Sequence, residues 1–194
     1  MKISIPLTCF LLAWSHFLMA QTVGIRAGLS IASQVWKFED VKVRPGFLLV
    51  SHVGLTLNFG ESEKVSGQLE ISYSQFGFGK YSDSTGAIGS QRIDYIKIGC
   101  AIKYHPKENI NVHVGPELGF GFRDVKDLTH LAAPDFGAFA GIEYYFTTYI
   151  GVGGRYFLGF SDTNDNPQLK QFNRAFQISI LIRFNGRQLK ESGY

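Results

Sequence analysis

Cysteine is nearly missing from this 194-residue chain: two are present, which excludes a scaffold built on disulfides. Charged residues are sparse at 18%, and the formal net charge of +3 is too small for a nucleic-acid binder. Beyond the first twenty residues no apolar run approaches the roughly 18 residues of a spanning helix. Mean hydropathy near zero argues against a helical membrane protein but not against one that crosses with alternating strands. What the chain does have is glycine, 22 residues, and aromatics at 14%, including 17 Phe and 9 Tyr. That mixture is too apolar and aromatic for disorder, and the length suits one ordinary domain or two very small ones.

Lys2 is the only charge in residues 1–20, and the apolar run behind it ends in small residues at Ala20. This is the layout of a secretory signal, with cleavage expected between Ala20 and Gln21. An uncleaved anchor helix fits less well, because the run is short, holds Pro6, Ser15 and His16, and lacks a flanking basic stop. Cys9 lies in this segment without the small residues that precede a lipidated cysteine. The mature chain then keeps Cys100 alone, which cannot form an intramolecular bridge.

From residue 22 onward the apolar residues recur at every second position. Eight such runs follow one another: residues 22–32, 46–59, 69–73, 96–104, 110–122, 136–146, 150–160 and 176–184. The connections alternate in length. Those at 33–45, 80–90, 123–134 and 161–171 are long and polar, while those at 60–65, 105–109 and 147–148 are tight. Long loops at one end and short turns at the other are the layout of an up-and-down outer-membrane barrel with its turns in the periplasm. The expected parts are a signal at 1–20, an all-β, eight-stranded antiparallel transmembrane barrel at 21–184, and a short tail at 185–194.

A soluble, secreted barrel binding a small apolar ligand would alternate equally well with its apolar set inside. Glycine argues for the other facing. Gly54, Gly99, Gly119, Gly137, Gly141 and others fall on the polar parity, where they would relieve crowding beside Tyr95, Phe139 and Phe157 in a narrow lumen. The apolar parity ends in aromatics such as Phe47, Tyr104, Phe122, Phe136, Phe146, Phe160 and Phe184, as two interfacial girdles require. Pro116 lies mid-strand and cannot donate to the ladder, so a local bulge is expected there.

Several stretches resemble a known family. SGQLEISYSQFGFGK at 66–80 resembles the Q-x-E-L-x-Y-S-x-x-G strand of the PorT-like outer-membrane β-barrel proteins of the Bacteroidota. IDYIKIGCAIKYHP at 93–106 and VHVGPELGFGF at 112–122 are similar to that family's L-x-Y-L-E-I-P strand and the G-P strand after it. Residues 134–146, 151–162 and 173–184 look like its last three strands, which carry D-F-G, R-Y-x-x-G-L and N-R. Lys97 and Gly99 depart from the usual Glu and Pro, and the chain continues past Phe184, where members tend to stop near a terminal aromatic. The resemblance implies an outer-membrane barrel, with a link to protein secretion through the member that gave the family its name.

By parity the lumen would hold an ion network of Arg26, Glu70, Lys97, Lys103, Glu117, Glu143, Arg155 and Arg183, together with His52 and His113. The expected role is structural, a paired plug, with a narrow anion-preferring pore as the alternative. No catalytic residue, cofactor or metal is expected, so the protein is read as not an enzyme. His113 with neighbouring Ser and Glu is the only catalytic pool, and His130 between Asp127 and Asp135 reads as a solvated loop before a metal site. GVGG at 151–154 lies inside a strand with no helix after it and is no phosphate loop. The first long loop, with Trp36, Lys37, Phe38 and Glu39, is the candidate partner-binding edge. The expected partners are outer-membrane lipid and a protein at the outer loops, not nucleic acid; composition does not set an oligomeric state.

Overall fold

The computed structural model describes residues 22–38, 41–60, 64–83, 86–122, 131–163 and 169–184. The expected signal, the tail, Glu39, Asp127 and His130 lie outside the described residues. Eleven strands form in chain order: β1 Thr22–Phe38, β2 Val41–Val43, β3 Leu48–Phe59, β4 Val65–Phe78, β5 Tyr81–Asp83, β6 Gly86–Ile88, β7 Gln91–Lys107, β8 Ile110–Phe122, β9 Leu131–Tyr145, β10 Ile150–Gly159 and β11 Lys170–Arg183. β1, β3, β4, β7, β8, β9, β10 and β11 pair with their neighbours, all antiparallel, and β11 pairs back onto β1 to close the barrel. Closure leaves no barrel strand with an unpaired edge, which is the condition for crossing a bilayer with strands.

The eight strands fall where the alternation predicts, but they run further at the end of the long connections. β1 continues from residue 32 to Phe38 and pairs there with β2, Trp36 opposite Val43. β5 and β6 form a separate hairpin inside the second long connection. Alternation fades here because both faces of the wall meet polar surroundings beyond the apolar band, while the ladder needs only backbone groups.

The apolar parity points outward. Leu29, Leu55, Ile71, Ile98, Ile102, Val114, Ile142, Ile178 and Ile180 are all exposed in a belt around the wall. On β7 the belt runs from Ile96 to Tyr104, and along β11 from Phe176 to Phe184 just past its end, the roughly 9–11 residues a tilted spanning strand needs. Aromatics rim it on both sides. Phe47, Phe136 and Phe160 stand at the long-connection end, and Tyr104, Tyr144, Phe146 and Phe184 at the short-turn end. Phe122, expected in this rim, is buried instead, just past the point where β8 loses strict alternation. The interior is polar and charged, so the alternative of a soluble barrel with an apolar lumen is overturned.

Pro116 makes no bulge. Gly99 opposite Glu117 and Ile102 opposite Val114 belong to one register, and only the two intervening pairs, at Cys100 and Ala101, drop out of the β7–β8 ladder. The register shifts fall near other prolines. One lies between Tyr104 and Lys107, around Pro106, and the other lies where Gly119 and Gly121 face Asp135 and Ala132, flanking Pro134. A bulge relieves a missing N–H near a strand end; in mid-wall the barrel keeps its register and forgoes two pairs.

Glycines make the narrow lumen possible. A Cβ on Gly137 would stand 2.6 Å from Cζ of Phe157, one on Gly141 2.6 Å from Cβ of Arg155, and one on Gly99 3.2 Å from Cε1 of Phe139. Gly60, at φ +62° in the β3–β4 turn, is one of three described positions, with Gly77 (φ +139°) and Gly86 (φ +156°), where backbone conformation itself favours glycine.

Candidate functional site: the filled lumen and the outer rim

Arg26, Glu70, Lys97, Lys103, Glu117, Glu143 and Arg155 all project inward from their strands and are buried. They meet in one chain of alternating charge. Lys103 Nζ lies 2.8 Å from Glu143 Oε2, and Glu143 Oε1 lies 2.6 Å from Arg26 Nη2. Arg26 Nε reaches Glu70 Oε2 at 3.4 Å, and Glu70 Oε1 lies 3.0 Å from Arg155 Nη1. Arg155 Nη2 is 3.4 Å from Glu117 Oε2, while Glu117 Oε1 accepts from Lys97 Nζ at 2.8 Å. The chain ends with Lys97 Nζ at 3.8 Å from Asp135 Oδ2. Bases and acids are equal in number along it, so the lumen encloses no net charge in this chain, the condition under which buried ions are tolerated.

Asp135 is the acid that parity reading missed. It directly follows the third long connection at 123–134 and lies inside β9, fully buried, where it accepts from Asn173 Nδ2 at 3.0 Å. Its odd position matches the inward set of β9, a signal hidden by its place between Pro134 and the first apolar residue of the run, Phe136. Arg183 departs from the expected network in the other direction. It is half-buried and its guanidinium lies 3.6 Å from the centre of the Tyr145 ring, not in the alternating chain.

Toward the outer end aromatics close over the ions. Lys97 Nζ sits 3.4 Å from the centre of the Phe157 ring and 3.8 Å from that of Phe76, and Arg155 stacks over Phe139 at 4.9 Å. Phe76, Tyr95, Phe139 and Phe157 form one buried cluster with Ile93, Ala101 and Ala175. Toward the short turns the filling is amide and imidazole: Asn111 donates to Glu143 at 3.1 Å, and its Oδ1 lies 2.6 Å from Nδ1 of His105.

His52 and His113, the two histidines placed in the lumen by parity, are both buried there. His52 is held between Ser30 and Ser179, each hydroxyl 2.8 Å from a ring nitrogen, without a carboxylate behind it. His113 is buried against Phe139, with Nδ1 3.8 Å from Glu143, far from any rim opening by its place in the charge chain. Among the described residues no group of His, Cys, Asp and Glu is arranged to hold a metal ion.

At the rim, the expected binding edge needs correcting. Trp36 is 3% exposed: it continues the inward parity of β1, stacks edge-on against Phe78 at 4.8 Å and meets Tyr81 at 5.5 Å. Its Nε1 donates to Gln34 Oε1 at 2.9 Å, and Gln34 donates to Asn173, which joins the rim to Asp135 and the ion chain. Lys37 and Phe38 are exposed, whereas Trp36 is a buried anchor.

No protein-family model matches this chain, and no curated protein does. Among solved structures, the neisserial surface protein A is similar with a TM-score of 0.52 at 9% identity, over 85% of this chain and 99% of that one. The outer-membrane protein OprG of Pseudomonas aeruginosa gives 0.49 at 12% identity, over 86% and 97%. Ail of Yersinia pestis, in a phospholipid bilayer nanodisc, gives 0.49 at 12% identity, over 85% and 100%. At 9% identity the likeness to the neisserial protein is one of fold alone.

Proposed function

We propose that this protein is embedded in an outer membrane, that its lumen is a non-conducting, non-catalytic plug, and that it acts through its outer rim as an anchor or partner-binding surface. The observation that carries the reading is the exposed apolar belt around a closed ladder whose interior is polar and charged. In water such a belt would be a very large apolar patch. The plug reading is supported by the self-paired charge chain, in which each buried base meets a carboxylate, and by the aromatic cluster that covers it.

The PorT-like resemblance suggests that a rim partner belongs to a secretion assembly. Membrane embedding is tested by fractionation and by a mild SDS gel. The folded protein should sediment with outer membranes, need detergent, and migrate faster unboiled than boiled, because a closed ladder resists SDS. Recovery as a detergent-free monomer overturns the reading. For the rim, replacing the exposed hairpin residues 86–88 and the segment 39–42 by Gly/Ser should leave that mobility shift intact and abolish crosslinking to a partner in cells. A partner still captured at wild-type level would place its site elsewhere.

A further inference from the structure

Outside the barrel, at the end of the long connections, three lysines stand abreast. Lys37 of β1 is directly opposite Lys42 of β2 on one side and Lys170 of β11 on the other, and all three are exposed. Like charges directly opposite on neighbouring strands repel, so a row of three is relieved when an anion binds beside it. Lys37 lies 5.0 Å from the centre of the Phe172 ring, which holds the ammonium in place without neutralising it.

Below the row the wall carries Arg174 on the outward parity of β11, between Ser33 of β1 and Leu158 of β10. Its Nη1 is buried and has no hydrogen-bond partner among the described residues. A desolvated guanidinium N–H on a lipid-facing wall is costly unless an acceptor arrives from outside. Arg174, Lys42 and Arg44 line a groove of about 400 Å³ whose floor and sides are Ile31, Leu158, Tyr156 and Phe176, with Phe47, 77% exposed, at its edge. No carboxylate lines this groove among the described residues. On the neighbouring β10–β11 connection, Asp162 accepts the backbone N–H of Gln171 at 2.8 Å.

The site is therefore cationic at the height of the outer aromatic rim and apolar just beneath it. A soluble anion would use the first half and leave the second empty. We propose that this face of the barrel is a docking site for a phosphorylated lipid of the outer leaflet, its phosphate bound by Lys37, Lys42, Lys170 and Arg174 and an acyl chain laid in the groove against Ile31, Leu158 and Phe176. Arginine and lysine supply the charge-assisted donors that phosphate oxygens accept. The proposal rests on the membrane reading above, which fixes this end of the barrel in the outer leaflet.

Native mass spectrometry of the detergent-folded chain with a bis-phosphorylated, acylated glucosamine disaccharide lipid tests it, with the enzymatically dephosphorylated lipid and free pyrophosphate as the other probes. The phosphorylated lipid should be retained at least about tenfold better than the dephosphorylated one, and the triple variant Lys37→Gln, Lys42→Gln, Lys170→Gln should lose that preference. Arg174→Gln should lower it separately. Equal retention of the two lipids, or an unaltered preference in both variants, overturns the proposal. Full competition by millimolar pyrophosphate also overturns it, in favour of a soluble anion site. Folding is controlled by a second readout: in anion-poor detergent Lys42→Gln should unfold at a higher temperature than the parent, because it removes a like-charge pair, and a lower temperature counts against the site. A chain that stays soluble without detergent defeats the membrane reading itself, whereas one that needs detergent but ignores phosphate defeats only this inference.

Discussion

Glu117 shows how single residues hold the lumen together. One oxygen takes Lys97 and the other faces Arg155, so the carboxylate joins two halves of the charge chain. Glu117→Gln leaves both bases short of a counter-charge in a buried setting, and the expected cost is on the order of 3 kcal/mol. Urea unfolding in detergent micelles measures it, and adding Lys97→Met to Glu117→Gln should recover part of the loss by removing the orphaned ammonium. The glycines make a second residue-scale test. Gly137→Ala drives a methyl to within 2.7 Å of two Phe157 ring atoms, whereas Gly99→Ala meets a single Phe139 edge at 3.2 Å. Overpacking of the first kind costs roughly 1–3 kcal/mol, so Gly137→Ala should lower the temperature of the gel-mobility transition clearly more than Gly99→Ala. That these glycines sit beside bulky inward residues was legible from parity, since the crowding follows from strand number alone. Which acid meets which base was not. That depends on the stagger between strands, which no single strand's pattern encodes.

At the scale of elements, the instructive case is the outer end of β1. Gln34 and Trp36 continue its even, inward positions, so the alternation ran on to Phe38 in the sequence. The charges at Lys37, Glu39 and Asp40 made the segment look like a loop. In physical terms, the hydrophobic contrast between the two faces vanishes once the wall leaves the apolar belt, while the backbone ladder persists. Trp36 then locks the β5–β6 hairpin to the barrel through Phe78 and Tyr81. Trp36→Ala should therefore free that hairpin at a cost of roughly 3 kcal/mol, typical of removing a buried aromatic. Protease added to intact cells should nick residues 81–88 faster in the variant, while the boiled and unboiled gel mobilities stay distinct. An unchanged nicking rate would mean that the hairpin is held by other contacts. The prolines teach the same lesson in reverse. Mid-wall Pro116 is absorbed without a shift, and Pro106 and Pro134, closer to strand ends, accompany the bulges.

For the molecule as a whole, the facing of the wall is the property from which everything else follows, and two substitutions interrogate it. Ile98 and Ile180 are exposed in the middle of the apolar belt. Ile98→Arg or Ile180→Arg should block assembly into membranes, each costing about 2–4 kcal/mol at the bilayer midplane. Inward Ser179 bonds His52, and Ser179→Ala should cost only the modest net value of one hydrogen bond, about 1 kcal/mol. Outer-membrane fractionation of the three variants separates them, and equal yields would contradict the assigned facing. Transport is the remaining whole-molecule question. An ion entering from outside meets the aromatic cluster, then ammonium and guanidinium groups already paired with carboxylates, so passage would require breaking those pairs. Planar-bilayer recordings of the reconstituted protein should accordingly be silent. Glu117→Gln should be silent as well, since it weakens the plug without removing the aromatic cover, and a steady conductance whose ion selectivity changes in that variant would replace the plug by a pore.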